Sequence, residues 1–170
     1  MFTVSLTVDN VIDALANYIK PFIANIPTIR AQVNRVSYPL GEFALLTEVT
    51  QTEIETPTLI YNATDSKITV NNPSKIGVQI DLYGERSGDF CRAILSAFRS
   101  IYCYDNFPEG IKPLYPSNAR QMPLNDAEEQ YVSRWMIVIY MQYNPLVELP
   151  QDFPDELEMN LIVNVDTTIE

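Results

Sequence analysis

Apolar positions along the chain recur with two different periods. Val8, Val11, Ile12, Leu15, Ile19 and Phe22 follow helical spacing, with Asp9 and Asp13 in or near the first turn, where carboxylates favour the helix dipole. Pro21 predicts an end or a kink near Lys20. After Pro27 the period becomes two: Ile29, Ala31 and Val33 alternate with Arg30, Gln32 and Asn34, which predicts a half-buried strand. A turn at Tyr38-Pro39-Leu40-Gly41 leads into a long strand over residues 43 to about 55. Its first half (Phe43, Ala44, Leu45, Leu46) is apolar on both faces, and its second half carries Thr47, Thr50, Thr52 and Thr56.

Turn-rich stretches at residues 62–65 and 71–73 flank a short predicted strand at 67–70. Ile76, Val78, Ile80 and Leu82 then alternate with Gly77, Gln79, Asp81 and Tyr83. Residues 43–82 therefore read as an antiparallel hairpin whose distal half, an arm of about 47–75, is too polar for core and projects from the body. Ser87 is the expected N-cap of a second helix, with Asp89 in its first turn. Phe90, Ile94, Ala97, Phe98 and Ile101 form its apolar stripe, and it should end near Asp105. Four prolines (Pro108, Pro113, Pro116, Pro123) make residues 106–124 a long loop of the kind that often carries function.

The strongest strand spans residues 131–143, with Tyr131, Trp135, Ile137, Ile139 and Met141 on one face and Val132, Met136, Val138 and Tyr140 on the other. Apolar character on both faces predicts a central strand or one covered by another subunit. A Pro/acidic linker at 144–154 precedes a last strand in which Leu157, Met159, Leu161, Val163 and Val165 alternate with polar residues. The order α-β-β-β-α-β-β predicts an α+β fold, residues 1–170 as one domain: a mainly antiparallel sheet with two helices packed on one face and a projecting β-hairpin.

Composition narrows the function. The 170 residues, 46% hydrophobic and 19% charged, suit a globular chain. No apolar run reaches the ~18–20 residues of a membrane span, and the N-terminus lacks signal-peptide features, so assembly in the cytoplasm without a membrane is expected. Cys91 and Cys103 fall in the one expected helix, about 18 Å apart at ~1.5 Å per residue, beyond disulfide reach. With no histidine, Ser-His-Asp and Cys-His chemistry is excluded. The net charge of −11 is uneven: up to Asn125 there are 12 acidic and 10 basic residues, and beyond it 10 acidic residues stand against Arg134 alone. Such a surface repels nucleic acid.

Candidate chemistry is sparse, and no catalytic, cofactor or metal site is expected. Glu128 and Glu129 precede the central strand and could face a cleft with Asp126, and a solvated strand entry explains them. Asp152, Asp155, Glu156 and Glu158 lack the spacing and central glycine of a calcium loop. Asn62-Ala63-Thr64 matches a glycosylation sequon but has no route to the enzyme without a signal peptide. Arg120-Gln121-Met122-Pro123 offers several donors in a proline-stiffened loop, suited to backbone carbonyls or carboxylates, with Glu128 or Glu129 the obvious partner for Arg120. Trp135 and Tyr131 read as core first and interface second. The interface candidates are therefore Arg120, Gln121, Glu128, Glu129, Trp135 and Tyr131, together with Thr50, Thr52 and Ile54 of the arm.

Several segments resemble the phage neck terminator proteins, also called tail terminator or tail completion proteins. They are residues 29–35 (IRAQVNR) with 39–43 (PLGEF), residues 78–84 (VQIDLYG), Pro113-Leu114-Tyr115, Arg120 to Pro123, Glu129-Gln130-Tyr131, Arg134-Trp135 and Gln142-Tyr143-Asn144-Pro145. The resemblance runs in the same order from about Val8 to Val165. It implies a small α+β structural subunit, not an enzyme, that forms a hexameric ring on the tail tube. Such a ring stops tube growth and docks to the head-side connector. The expected partners are other copies of the chain, tube and sheath proteins and the connector, with DNA passing through the channel unbound. A heterologous ring needs two different complementary patches per subunit. The competing readings are an acidic DNA-mimicking inhibitor of a nucleic-acid-handling protein, motivated by the charge, and a carboxylate enzyme resting on Glu128 and Glu129.

Overall fold

A computed structural model describes residues 3–31, 39–122, 124–125 and 131–151. The first helix, α1 (Val8–Ile19), starts where the sequence places it. Thr7 and Asn10 cap each other reciprocally, the Asn10 side chain accepting from the Thr7 backbone N–H at 2.9 Å. Val11, Ile12, Leu15, Tyr18 and Ile19 form its buried face. Pro21 closes the helix into a 3-10 turn, Lys20–Ile23, and left-handed Ala24 and Asn25 reverse the chain.

The larger sheet has the strand order β2 (Thr28–Arg30), β3 (Phe43–Glu53), β6 (Ser74–Tyr83), β11 (Arg134–Tyr143) and β7 (Ile111–Pro116). Only β2 and β3 run parallel, so the sheet is mainly antiparallel, and β8 (Arg120–Gln121) pairs with β11 beyond the end of β7. Alternation decides which face is core. Ala44 and Leu46, Ile76 to Leu82 at every second residue, and Ile137, Ile139, Met141 and Tyr143 pack against α1 and α2 (Ser87–Phe98) in one buried cluster. Each such aliphatic side chain contributes about 1.5–3 kcal/mol when fully buried.

Several expectations change. The second helix is not continuous to Asp105: α2 stops at Phe98, and a short helix, α3 (Tyr102–Asp105), follows. The Ser100 hydroxyl donates to the Ala97 carbonyl at 2.7 Å, taking a bond that a continuing helix would need. Ile101, expected on the apolar stripe, is therefore 83% exposed. Cys91 and Cys103 lie in separate helices, both free and buried. Ser87 is not the N-cap; Arg86 holds that position without a side-chain cap, while Ser87 is buried with its hydroxyl 3.1 Å from that of Ser133.

The proline-rich segment 106–124 is not a plain loop, since it contains β7, β8 and the first residue of β9 (Leu124–Asn125). Pro113 and Pro116 are tolerated because β7 is an outer strand, paired on one side with β11 among the described residues. The expected 131–143 strand breaks at Ser133: β10 (Tyr131–Val132) pairs with β9, and only β11 joins the large sheet. The linker after Asn144 contains a further strand, β12 (Leu146–Pro150). β2 ends at Arg30, short of Val33, and residues 32–38 lie outside the described residues, as do the last predicted strand, Asp126, Glu128, Glu129, Asp152, Asp155, Glu156 and Glu158.

The two core thiols give the fold a steep alkaline limit. Burial pushes Cys91 up to about 12 and Cys103 up to about 11, from an ordinary 9.0. Unfolded thiols ionise near 9.0 while the folded ones stay neutral, so their stabilisation is complete below that pH and is lost as pH rises through 11 to 12. Each thiol should remove about 1.4 kcal/mol per pH unit within that window. Urea midpoints at pH 8 and pH 10 should differ accordingly. A Cys91→Ala/Cys103→Ala variant should start weaker and fall less steeply.

Candidate assembly surfaces

The β3–β6 ladder ends at the pair Glu53↔Ser74. Beyond it the chain makes a separate hairpin, β4 (Thr58–Asn62) and β5 (Lys67–Asn71), so the arm is not a continuation of the two long strands. Asn62 builds the tip: its carbonyl oxygen accepts from the backbone of Thr64 and Asp65 at 3.1 and 3.3 Å, and its amide donates to Asp65 at 2.7 Å. β5 then pairs with β12, and β12 with β1 (Thr3–Val4), giving a second, four-stranded sheet in the order β1-β12-β5-β4.

Register sorts that sheet into two unlike faces. Leu59↔Val70, Tyr61↔Ile68, Val70↔Val147, Ile68↔Leu149 and Val4↔Val147 are paired, so one face is apolar throughout. The opposite face is mixed: Thr69, Asn71, Glu148 and Lys67, the last two joined by a 3.1 Å ion pair, share it with exposed Ile60 and Leu146. Ile68 is buried, yet Leu59 is 47% and Tyr61 60% exposed, and no residue from 54 to 73 belongs to the main core cluster. Large apolar side chains exposed on one sheet face mark a candidate interaction surface.

The larger sheet has its own second face, opposite the helices. Register lines up Phe43, Tyr83 and Arg134, then Leu45, Asp81 and Met136, then Thr47, Gln79 and Val138, then Thr50, Gly77 and Tyr140, then Thr52, Lys75 and Gln142. A bulge between Glu48 and Thr50 shifts the phase of β3 by one residue. Thr50 and Thr52 thereby share the face of Thr47, and both are exposed. Thr50 needs the missing side chain of Gly77, because a Cβ there would lie 2.5 Å from its hydroxyl. Ile54 follows at the root of the arm, exposed, its N–H bonded to the Pro73 carbonyl at 3.0 Å.

The same face holds a charged centre that the sequence did not flag. Asp81 is 2% exposed, and Arg134 donates to its Oδ1 through Nε at 3.0 Å and Nη2 at 2.8 Å. Gln79 donates to Oδ2 at 2.7 Å. The guanidinium lies 5.5 Å over the Tyr83 ring, which stacks on Phe43 at 4.4 Å. Nothing in the local sequence links positions 81 and 134; only the β6–β11 register brings them together.

The remaining sequence candidates separate. Trp135 is partly buried on the helix side, its indole within 3.1 Å of where a Cβ on Gly88 would stand. Tyr131 pairs through its backbone with Asn125. Arg120 and Gln121 are exposed and held by strand pairing to Met136 and Trp135, with the Met122 N–H bonded to the Arg134 carbonyl at 2.8 Å. Arg120 forms no ion pair among the described residues. A last exposed apolar group, Ile101, Tyr102 and Tyr104, crowns α3. Two clefts flank α1, one lined by Lys20 and the other by Asp13, each a single charge without an acid–base partner in the lining.

Residues 9–170 match a protein family described as phage neck terminator protein. Among solved structures, the chain is similar to a cryo-EM structure of an extracellular contractile injection system, described as the PVC sheath/tube terminator in its extended state. The two share 10% identity at a TM-score of 0.50, over 98% of this chain and 64% of that one, a likeness of fold. No curated protein matches the chain.

Proposed function

This chain belongs to the phage neck terminator protein family, whose members are structural tail proteins, and we propose that it forms a homo-oligomeric ring, six copies around, on the end of the tail tube. The ring ends tube growth and joins the tail to the head-side connector at the virion neck, after assembly in the host cytoplasm. The observation that carries this reading is the arm sheet, one face of which lines up Val4, Leu59, Tyr61, Ile68, Val70, Val147 and Leu149, with Val4, Leu59 and Leu149 exposed. A monomeric enzyme has no use for such a face, and a ring subunit needs one. The net charge of −11 suits a channel that DNA crosses without sticking.

Light scattering and negative-stain imaging of the purified full chain, with and without tail tube protein, test the proposal. Rings of uniform size, or caps on tube ends, are expected, and tubes grown without the chain should lose their length control. A chain that stays monomeric at every concentration and ignores tube ends would refute it.

Arg120 belongs to this reading as an interface residue. Exposed and without an ion pair among the described residues, it should cost within about 1 kcal/mol of stability when replaced. Arg120→Ala and Arg120→Lys should both melt close to the parent and both lose ring yield, since lysine keeps the charge but not the planar fork. Full ring yield in both variants would remove Arg120 from the interface.

A further inference from the structure

We infer that the face of the larger sheet opposite the helices takes up the acidic segment 152–170 of the next copy in the ring. This rests on the ring reading above and names one contact that joins neighbouring copies. Register gives that face three bands. At one end, Thr52, Lys75, Gln142 and Lys112 form a row across β3, β6, β11 and β7. In the middle stand Tyr140 and Tyr115, their rings 4.8 Å apart, followed along β11 by Val138 and Met136. At the other end Arg120 lies beside Met136. Lys75, Lys112 and Arg120 make no ion pair among the described residues. Asp81, buried and bonded to Arg134, is the only carboxylate in these rows. Glu48 and Glu53 fall on the helix side, in register with Val78 and Ser74. Glu55 and Glu109 are exposed in connections outside the paired rows. In a chain of net charge −11, this face is cationic at both ends and apolar between.

Residues 152–170 repeat that pattern with the opposite sign. Four acids fall in 152–158, apolar residues recur at every second position from Leu157 to Val165, and Asp166 and Glu170 follow, with no Lys or Arg. In an extended chain at ~3.4 Å per residue, Glu158 and Asp166 stand about 27 Å apart and the rows of Gln142 and Met136 about 20 Å. Long lysine and arginine side chains cover the difference. Matching bands of charge set register as well as attraction. The exit point favours the neighbour's face over the segment's own. β12 runs outward along the arm, and the Gln151 N–H donates to the Ser66 carbonyl at 2.9 Å, in the turn at the arm tip. The segment therefore starts at the end of the arm, heading away from its own cationic rows. Its nineteen residues extend to about 60 Å, enough to cross to the next copy. Segment and face are different patches, as a heterologous ring contact requires.

Crosslinking in the full chain tests this, with Lys112→Cys and Glu158→Cys in one variant; Cys91 and Cys103 are buried and do not compete. Rings of this variant are treated with a bismaleimide, whose reach tolerates a small shift of register. A ladder of covalently joined multimers on denaturing gels is expected, since each bond joins one copy to the next. Rings that crosslink only within single chains would overturn the inference, because the segment then covers its own copy. Rings that do not crosslink at all would overturn it too. Charge exchange gives a second readout. Lys75→Glu/Lys112→Glu and Asp155→Lys/Glu158→Lys should each lower ring yield about tenfold, and the four changes in one chain should restore it. Lys112 is exposed and Lys75 half-buried, so the first pair should melt near the parent. Normal rings from both pairs would overturn the contact and leave the ring standing. A parent chain that never forms rings would remove the ring reading and this inference with it.

Discussion

Removing residues 56–71 is expected to leave a folded body that no longer assembles. The deletion takes out β4 and β5 and the Lys67–Glu148 pair, but Ile68 is the only buried side chain it removes, and that residue lies outside the main core cluster. The β3–β6 ladder is complete at Glu53↔Ser74, so a short turn between residues 55 and 72 keeps its register. Stability should fall by about 1–2 kcal/mol, mostly from the loss of a partner for β12. Ring yield should drop to background, because the apolar arm face is gone. Circular dichroism with a urea titration measures the first effect and light scattering the second. Complete rings from the deletion variant would show that the arm is dispensable for assembly.

Arg134→Met should be the most damaging single substitution on the face of the larger sheet opposite the helices. It leaves the Asp81 carboxylate buried with Gln79 as its remaining side-chain donor among the described residues. Stripping one partner from a buried ion pair costs roughly 3–5 kcal/mol, and the partial exposure of Arg134 puts the expected value near ~3. For a chain of this length that is a fall of roughly 10 °C in melting temperature. The double variant Arg134→Met/Asp81→Leu should recover most of the loss, since the desolvation cost of the charge disappears along with the pair. If Arg134→Met melts with the parent, the carboxylate has access to water and the buried-pair account is wrong.

The elements that could be read from the chain are those whose signal is local. The apolar face of α1 and the alternation from Ile76 to Leu82 each depend on neighbours a few residues away, and each is where the pattern puts it. The Thr47, Thr50 and Thr52 spacing even carries the trace of the bulge, since a three-residue step between like residues is what a one-residue insertion in a strand produces. By contrast Ile101 looked like one more rung of an apolar stripe. The local bond from Ser100 to Ala97 ends that helix and turns Ile101 outward.

The surfaces themselves belong to tertiary structure. From the residues alone the arm reads as polar, because Leu59, Tyr61, Ile68, Val70, Val147 and Leu149 lie in three separate segments; only pairing of β4, β5 and β12 gathers them on one face. β7 and β12 sit in stretches that proline and acidic residues mark as loop, and they become strands because β11 and β5 offer open ladders beside them. Asp81 and Arg134 are ordinary charges until register sets them 2.8 Å apart. The sequence by itself determined the class of fold, the start of the first helix, the core strands and, through its ordered resemblance, the family. Which faces stay open and which charges meet was decided by strand pairing between distant segments, whose free energy depends on the partner strand and not on the residues nearby.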